Sequence, residues 1–200
     1  MSSQVVLASG NKGKLKEFGD ILQLMDMEIV AQGTLGVADA DETGLTFVEN
    51  AIIKARNACE HTGLPAISDD SGLEVDYLNG APGIYSARYA GTDASDADNI
   101  DKLLKALQSV PHEQRTARFR CVLVCMRHKL DPTPLICLGT WEGYILEAPR
   151  GEHGFGYDPI FWSPEFDCAS AELTPVQKRS VSHRGKAVGL LTAALADFLK

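Results

Sequence analysis

The sequence predicts an α/β fold built on a mixed sheet, and two observations carry that expectation. Short apolar runs alternate with amphipathic helical stretches early in the chain, and a strand-rich block follows from about Thr116. With 200 residues, the chain is long enough to bury a sizeable core as one large domain or two small lobes.

Val5-Val6-Leu7-Ala8 is a short apolar run, hence a first buried strand, and Ser9-Gly10-Asn11-Lys12-Gly13-Lys14 is a turn. A helix is expected from about Leu15, with Phe18, Ile21, Leu22 and Met25 on one face. Thr46-Phe47-Val48-Glu49 reads as a capping box that opens a second helix. Phe47, Ala51, Ile52, Ala55 and Cys59 form its apolar face, Asn50, Lys54 and Asn57 lie on another side at helical spacing, and Gly63 ends it. Pro65-Ala66-Ile67 then begins a strand expected to end at Asp69-Asp70. A third helix is expected over 94–110, with Ile100, Leu103, Leu104 and Leu107 inward. A strand from Thr116 to Arg127 follows, with antiparallel partners at Leu135 to Thr140 and Glu142 to Leu146. Pro159-Ile160-Phe161-Trp162 is a further short strand. Ser182 starts a C-terminal helix carrying Val188, Leu191, Leu195 and Phe198.

Composition excludes several classes. An apolar fraction of 44% and a charged fraction of 23% are those of a soluble globular protein. No apolar run approaches the ~20 residues of a membrane helix, and the start Met-Ser-Ser-Gln-Val-Val-Leu carries no secretory pattern. A net charge of -8 argues against a general nucleic-acid or anionic-membrane surface, though not against a small phosphorylated ligand in a local basic pocket. Cys59, Cys121, Cys125, Cys137 and Cys168 are odd in number and form no Cys-x-x-Cys pair, so reduced thiols and a cytoplasmic location are expected.

Four stretches carry candidate chemistry. In Ala8 to Lys14 a strand, a Gly-containing turn and a helix start bring backbone N–H groups and two lysines together, either as a phosphate site or as an ordinary strand-to-helix turn. The Gly10 to Gly13 interval is too short for a Walker A loop, and Leu15 stands where that loop has Ser or Thr. Asp39, Asp41 and Glu42 precede the second helix, and Asp69-Asp70 follow it. Such carboxylates suit magnesium or a general base acting on water, with an acidic surface turn as the alternative. Neighbours on an extended chain point to opposite faces, so Asp69 and Asp70 are not expected to share one job. Gly154-Phe155-Gly156 displays a large ring on bare backbone, a stacking platform for a flat ligand or a core aromatic in a bend. In Ser182-His183-Arg184-Gly185-Lys186-Ala187, cations in a first helical turn oppose the helix dipole; an electron-rich ligand edge would compensate, and the alternative is solvated charge.

Together, SGNKGK, SDDSGLEVDYLNGAPGIYSARYAG, GFGYDPIF and SHRGKA resemble the motifs of the inosine triphosphate pyrophosphatases, of the bacterial RdgB type, over nearly the whole chain and in the family's order. The resemblance implies one domain over 1–200, with two lobes around a long mixed sheet, an active site in the cleft, and a homodimer. It implies magnesium-dependent hydrolysis of ITP, dITP and XTP to monophosphate and pyrophosphate. Carried over by position, Ser9, Gly10, Asn11, Lys12, Gly13 and Lys14 would wrap the triphosphate, and Lys54 would reach it from the second helix. Glu42 and Asp70 would hold magnesium with Asp69 close by, Asp70 would activate water, and Ser71 would bind substrate beside it. Phe155 would stack on the base, Gly156, Tyr157 and Asp158 would line its pocket, and Lys178, His183 and Arg184 would read its keto edge. A nucleotide-binding module without turnover and a pyrophosphatase for other nucleotides are the competing readings.

Overall fold

The computed structural model describes residues 4–9 and 27–200. Seven strands, β1 (Gln4–Leu7), β2 (Glu28–Ala31), β3 (Ala66–Val75), β4 (Thr116–Met126), β5 (Leu135–Ile145), β6 (Phe161–Ser163) and β7 (Cys168–Ala169), form one sheet in the order β2-β1-β3-β4-β5-β6-β7. The described α-helices are α1 (Phe47–Thr62), α2 (Asp96–Ala106), α3 (Pro175–Val181) and α4 (His183–Phe198). The sheet is mixed, as expected: β1 runs parallel to β2 and β3, whereas β6 is antiparallel to both β5 and β7. The helix expected from Leu15 and the turn residues Gly10 to Lys14 lie outside the described residues.

The chain divides into two compact units. One comprises Met1–Asp70, Val122–Leu138 and Ala187–Lys200, the other Ser71–Cys121 and Gly139–Lys186. In the first, Ala51, Ala55 and Ala58 on α1 are wholly buried with Val6, Ala66, Val122 and Val124. Small side chains on that face let the helix axis approach the strands closely. Ser68 Oγ fastens the two by donating to Ala51 O at 2.5 Å. Thr46 opens α1 by accepting from the Glu49 N–H, and the Glu49 carboxylate reaches back to accept from the Thr46 hydroxyl at 2.8 Å and from the Leu45 N–H at 2.9 Å. Gly63 closes it in the left-handed region at φ 70.

In the second unit Leu73, Leu103, Leu107, Trp141, Ile145 and Phe161 form the centre of the core. Ser95 and Asp98 make a reciprocal capping box at α2, so that helix begins just inside the expected range and ends at Ala106. Arg115 is 3% exposed and donates to three main-chain oxygens, Leu107 O, Ile145 O and Leu146 O, at 2.7–2.9 Å.

Four expectations are corrected. β3 does not end at the paired aspartates: Leu73 and Val75 are wholly buried beyond them, so the apolar requirement holds the chain extended to Val75. The two strands expected at 135–140 and 142–146 are one strand, because Trp141, at their junction, is fully buried and continues the alternation. Of Pro159 to Trp162 only the end is strand; Asp158–Ile160 is a 3-10 turn, suited to the fixed φ of Pro159. A short helix, α3, precedes the C-terminal one, with Thr174 and Gln177 capping it and Pro175 in its first turn. Ser182 still caps α4 by accepting from the Gly185 N–H at 3.1 Å.

All five cysteines are free thiols, and among the described residues no helix is long and apolar enough to cross a membrane. Leu103 sits with no exposed surface at the centre of the second unit's core. Leu103→Ala should therefore cost about 2–5 kcal/mol, the range for emptying a closed core position. Urea denaturation measures it, and a change within error would show that the site collapses around the missing atoms.

Candidate functional site

Two groups of polar side chains stand out, one in each unit. The first is assembled where the parallel pairing of β1 with β3 ends, while β3 itself runs on to Val75. β1 pairs with β3 with Leu7 opposite Ile67, and Ala8 N–H donates to Ile67 O at 2.8 Å. Ser9 follows two residues beyond the end of β1, half-buried. In open α/β sheets the carboxyl ends of parallel strands, at the point where the connections leave in opposite directions, are the usual ligand sites. The order β2-β1-β3 puts such a point between β1 and β3.

Lys54 of α1 reaches this place and is shared. Its Nζ donates to Glu42 Oε1 at 2.7 Å and to Asp70 Oδ1 at 2.8 Å. The polar face of α1 fixes the acidic segment that carries Glu42. Asn57 Nδ2 donates to Ala38 O at 3.0 Å, and Asn50 Oδ1 accepts from Gly44 N–H at 2.8 Å. Gly44 has to be bare here, since a Cβ would lie 2.6 Å from Glu49 Cβ and 2.7 Å from Asn50 Oδ1. The spacing Asn50, Lys54, Asn57 was visible in the sequence, but Asn50 and Gly44 were not singled out as site-builders.

Charge balance in this group is uneven. Burial is the strongest influence on Asp70 and raises its pKa; the Lys54 charge and hydrogen bond pull it down, and the charges of Glu42 and Asp69 push it up again, so it stands above the ordinary carboxylate value. Burial alone would lower Lys54. The Asp70 charge, the bonds to Asp70 and Glu42 and the charge of Asp69 outweigh it, and the ammonium is held above its ordinary value. Both directions follow from burial acting together with one cation set among three carboxylates.

That donor set can be tested against magnesium. Glu42 and Asp70 already converge on one cation, and Asp70 Oδ2 is buried with no hydrogen-bond partner among the described residues. Among the described residues no three or more His, Cys, Asp or Glu gather as a metal cage. One or two carboxylates with water and substrate oxygens completing the shell is how magnesium is commonly held. The residues fit it.

The second group lies on the loop before β6 and on α3 and α4. Phe155 is 61% exposed, between Gly154 (φ 83) and Gly156 (φ 58). Lys178 Nζ lies 5.1 Å and Arg184 Cζ 5.9 Å from its ring centroid. Asp158, 3% exposed, accepts from the Phe155 N–H at 2.9 Å and from Lys178 Nζ at 2.5 Å through Oδ2, while Oδ1 accepts from Ser170 Oγ at 2.8 Å. His183 is buried and stacks on Phe119 with ring centroids 4.8 Å apart and planes 15° apart. Tyr157 is buried and donates to Ser86 O at 2.8 Å, so its hydroxyl serves the core; burial raises its pKa. Gly156 N–H donates to Asp96 Oδ2 at 2.6 Å.

The structure thus brings Glu42, Lys54 and Asp70 together, with the charge of Asp69 felt by Lys54 and with Ser9 at the strand end. It brings Phe155, Asp158, Lys178 and Arg184 together in the other unit, with His183 on the adjoining helix start. Ser71 follows Asp70 in β3, half-buried. Gly10, Asn11, Lys12, Gly13 and Lys14 lie outside the described residues. Phe119 and Ser170 were missed, because nothing local in the sequence distinguishes a core Phe or a buried Ser that backs a site residue.

These features define an α/β protein with a mixed seven-stranded sheet, an acidic cluster closed by one lysine, and an exposed aromatic flanked by cations. A family model described as the Ham1 family matches residues 5–194, and the chain belongs to that family. It is 63% identical over 194 residues to the dITP/XTP pyrophosphatase of Vibrio cholerae, which spans 97% of each chain. It is 61% identical over 195 residues to the dITP/XTP pyrophosphatase of Photobacterium profundum, covering 98% of this chain and 99% of that one. The solved structure of a HAM1 protein from Coxiella burnetii superposes with a TM-score of 0.94 at 49% identity, over 98% of this chain and 99% of that one. The family resemblance read from the motifs is borne out.

Removing the ammonium tests the charge balance. In Lys54→Met, Asp70 keeps its burial and the charges of Glu42 and Asp69 and should titrate higher still. A carboxyl whose folded pKa lies above its unfolded value of about 3.9 contributes stability that is full below the unfolded pKa. That stability is lost as pH rises through the folded pKa. The deficit of Lys54→Met against wild type should therefore grow as pH rises above about 4, read by urea unfolding at a series of pH values. A deficit that stays constant with pH would show that Lys54 is not what balances Asp70.

Proposed function

We propose that this protein hydrolyses the non-standard purine nucleoside triphosphates ITP, dITP and XTP to monophosphate and pyrophosphate, removing deaminated purines from the nucleotide pool. The observation that carries the reaction is the state of Asp70: a buried carboxyl with a raised pKa, one oxygen fixed by Lys54 and the other without a partner among the described residues. A carboxylate so placed is a general base for water. The substrate class is supported by the relatives that are named dITP/XTP pyrophosphatases and match this chain almost end to end.

In this reading Asp70 takes the proton from a water that attacks the α-phosphorus, the bond from that phosphorus to the bridging oxygen breaks, and pyrophosphate leaves. Ser9, Gly10, Asn11, Lys12, Gly13 and Lys14 wrap the triphosphate, with Lys54 and Ser71 beside it. Glu42 and Asp70, with Asp69 close by, would hold magnesium, which supplies neutralising charge to the triphosphate and to the departing pyrophosphate. Positioning and charge neutralisation are most of what such a transfer requires.

Phe155 stacks on the base, Gly156, Tyr157 and Asp158 shape the pocket around it, and Lys178, His183 and Arg184 donate to its keto edge. An adenine amino group is itself a donor and would leave those donors unpaired, so ATP is rejected. Five free thiols suit a reducing compartment, and the protein is proposed to act in the cytoplasm as a homodimer, as one domain built of its two units.

Purified protein with magnesium should release pyrophosphate from ITP much faster than from ATP. Equal rates on the two, or no release from either, would overturn the reading. Asp70→Asn should abolish turnover. Because burial favours the neutral carboxyl, the amide that imitates it should unfold at no lower urea concentration at neutral pH. Near-normal turnover in that variant would take Asp70 out of the mechanism.

A further inference from the structure

We propose that Ser170 is a positioning residue for base selection: its hydroxyl locks Asp158 so that one carboxylate sets both the Phe155 platform and the Lys178 ammonium. The proposal rests on the reading that Phe155 and Lys178 receive the base. Ser170 is 1% exposed and touches no reacting atom; its Oγ donates to Asp158 Oδ1 at 2.8 Å. The other oxygen, Oδ2, accepts at once from the Phe155 N–H and from Lys178 Nζ. A carboxylate turns easily about its last torsion, and what stops this one is that both oxygens are held. Gly154 leaves the room: a Cβ there would lie 2.1 Å from Asp158 Oδ2.

The turn that carries Ser170 is itself built as a mount for the Phe155 loop. Ser170–Glu172 is a single 3-10 turn, tied back by the Ala169 N–H donating to Glu172 Oε2 at 2.8 Å. His153 N–H donates to Ala171 O at 3.0 Å, and Gly151 passes so close that a Cβ would be 2.5 Å from the Ala171 backbone. The loop of residues 151–156 is therefore referenced to the Ser170 turn at three points, and Ser170 is the one that reaches the recognition side chains. An alanine at 170 would leave Asp158 Oδ1 a buried acceptor without a donor, and the carboxylate would turn to recover one. Phe155 and Lys178 would lose their common reference together. The Glu42–Lys54–Asp70 cluster belongs to the other unit and shares no residue with this chain of bonds.

Ser170→Ala should raise KM for ITP about tenfold, the worth of one hydrogen bond to a charged group, leave kcat little changed, and lower the ITP-over-ATP ratio of kcat/KM. Ser170→Thr keeps the hydroxyl and should restore both. Hydrogen exchange at the Phe155 amide reads the same contact without substrate: slow in wild type and Ser170→Thr, fast in Ser170→Ala. A loss of kcat on ITP and ATP alike with the ratio unchanged would assign Ser170 a merely structural role and overturn the proposal. Equal protection of the Phe155 amide in wild type and Ser170→Ala would overturn it as well. Absence of ITP hydrolysis in wild type would instead sink the proposed function, while the exchange experiment would still decide whether Ser170 holds Asp158.

Discussion

One half-buried lysine, Lys54, makes the first site possible. β3 carries Asp69 and Asp70 through the middle of a strand, at 1% and 8% exposure, with Glu42 brought up beside them. Three carboxylates in a poorly solvated place repel one another and favour protonation. The Lys54 ammonium, bonded to two of them and within range of the third, is what lets the strand continue to Val75 with its charges in place. Buried ion pairs seldom add net stability, because desolvation consumes most of the attraction. The raised Asp70 pKa shows the same thing here: the fold tolerates this carboxylate and does not profit from its charge.

The second group inverts the arrangement. There one carboxylate, Asp158, gathers donors from three parts of the chain: a hydroxyl, a main-chain N–H and an ammonium. With every lone-pair direction near those donors in use, Asp158 organises its neighbours and has little left for a ligand. Lys54 works the other way, as a donor surrounded by acceptors, and Asp70 retains an oxygen with no partner among the described residues. A satisfied group holds geometry; an unsatisfied one is where chemistry can begin. By that criterion Asp70 suits the reaction proposed for this protein, and Asp158 suits the holding of the side chains proposed to recognise the base.

What the sequence made legible follows the same division. The helix that carries Lys54 was readable because its cap, its alanine face and its polar face all repeat locally at helical spacing. The mixed sheet was readable from the alternation of element types. The course of β3 past the aspartates was not, because a charged pair normally signals a turn and the compensating cation is on another element, 16 residues away in sequence. The continuity of β5 was hidden by a Thr-Trp-Glu junction whose alternation only becomes plain once Trp141 is known to be buried. α3 was legible and overlooked: Thr174-Pro175-Val176-Gln177 is a cap with Pro in the first turn. Ser170 was not legible at all, since a buried serine is recognised by its partner and not by its neighbours.

The paired aspartates show how far a local rule reaches. Alternation along a strand predicts that Asp69 and Asp70 face opposite ways, and only Asp70 bonds Lys54. Yet the Lys54 ammonium responds to the charge of both. Directional contact separates the two residues, while the field does not, because electrostatic influence at low dielectric extends beyond the first neighbour. A substitution at Asp69 therefore acts on Asp70 without touching it, by removing one of the charges that raise its pKa. The two carboxylates act on Lys54 as one electrostatic unit.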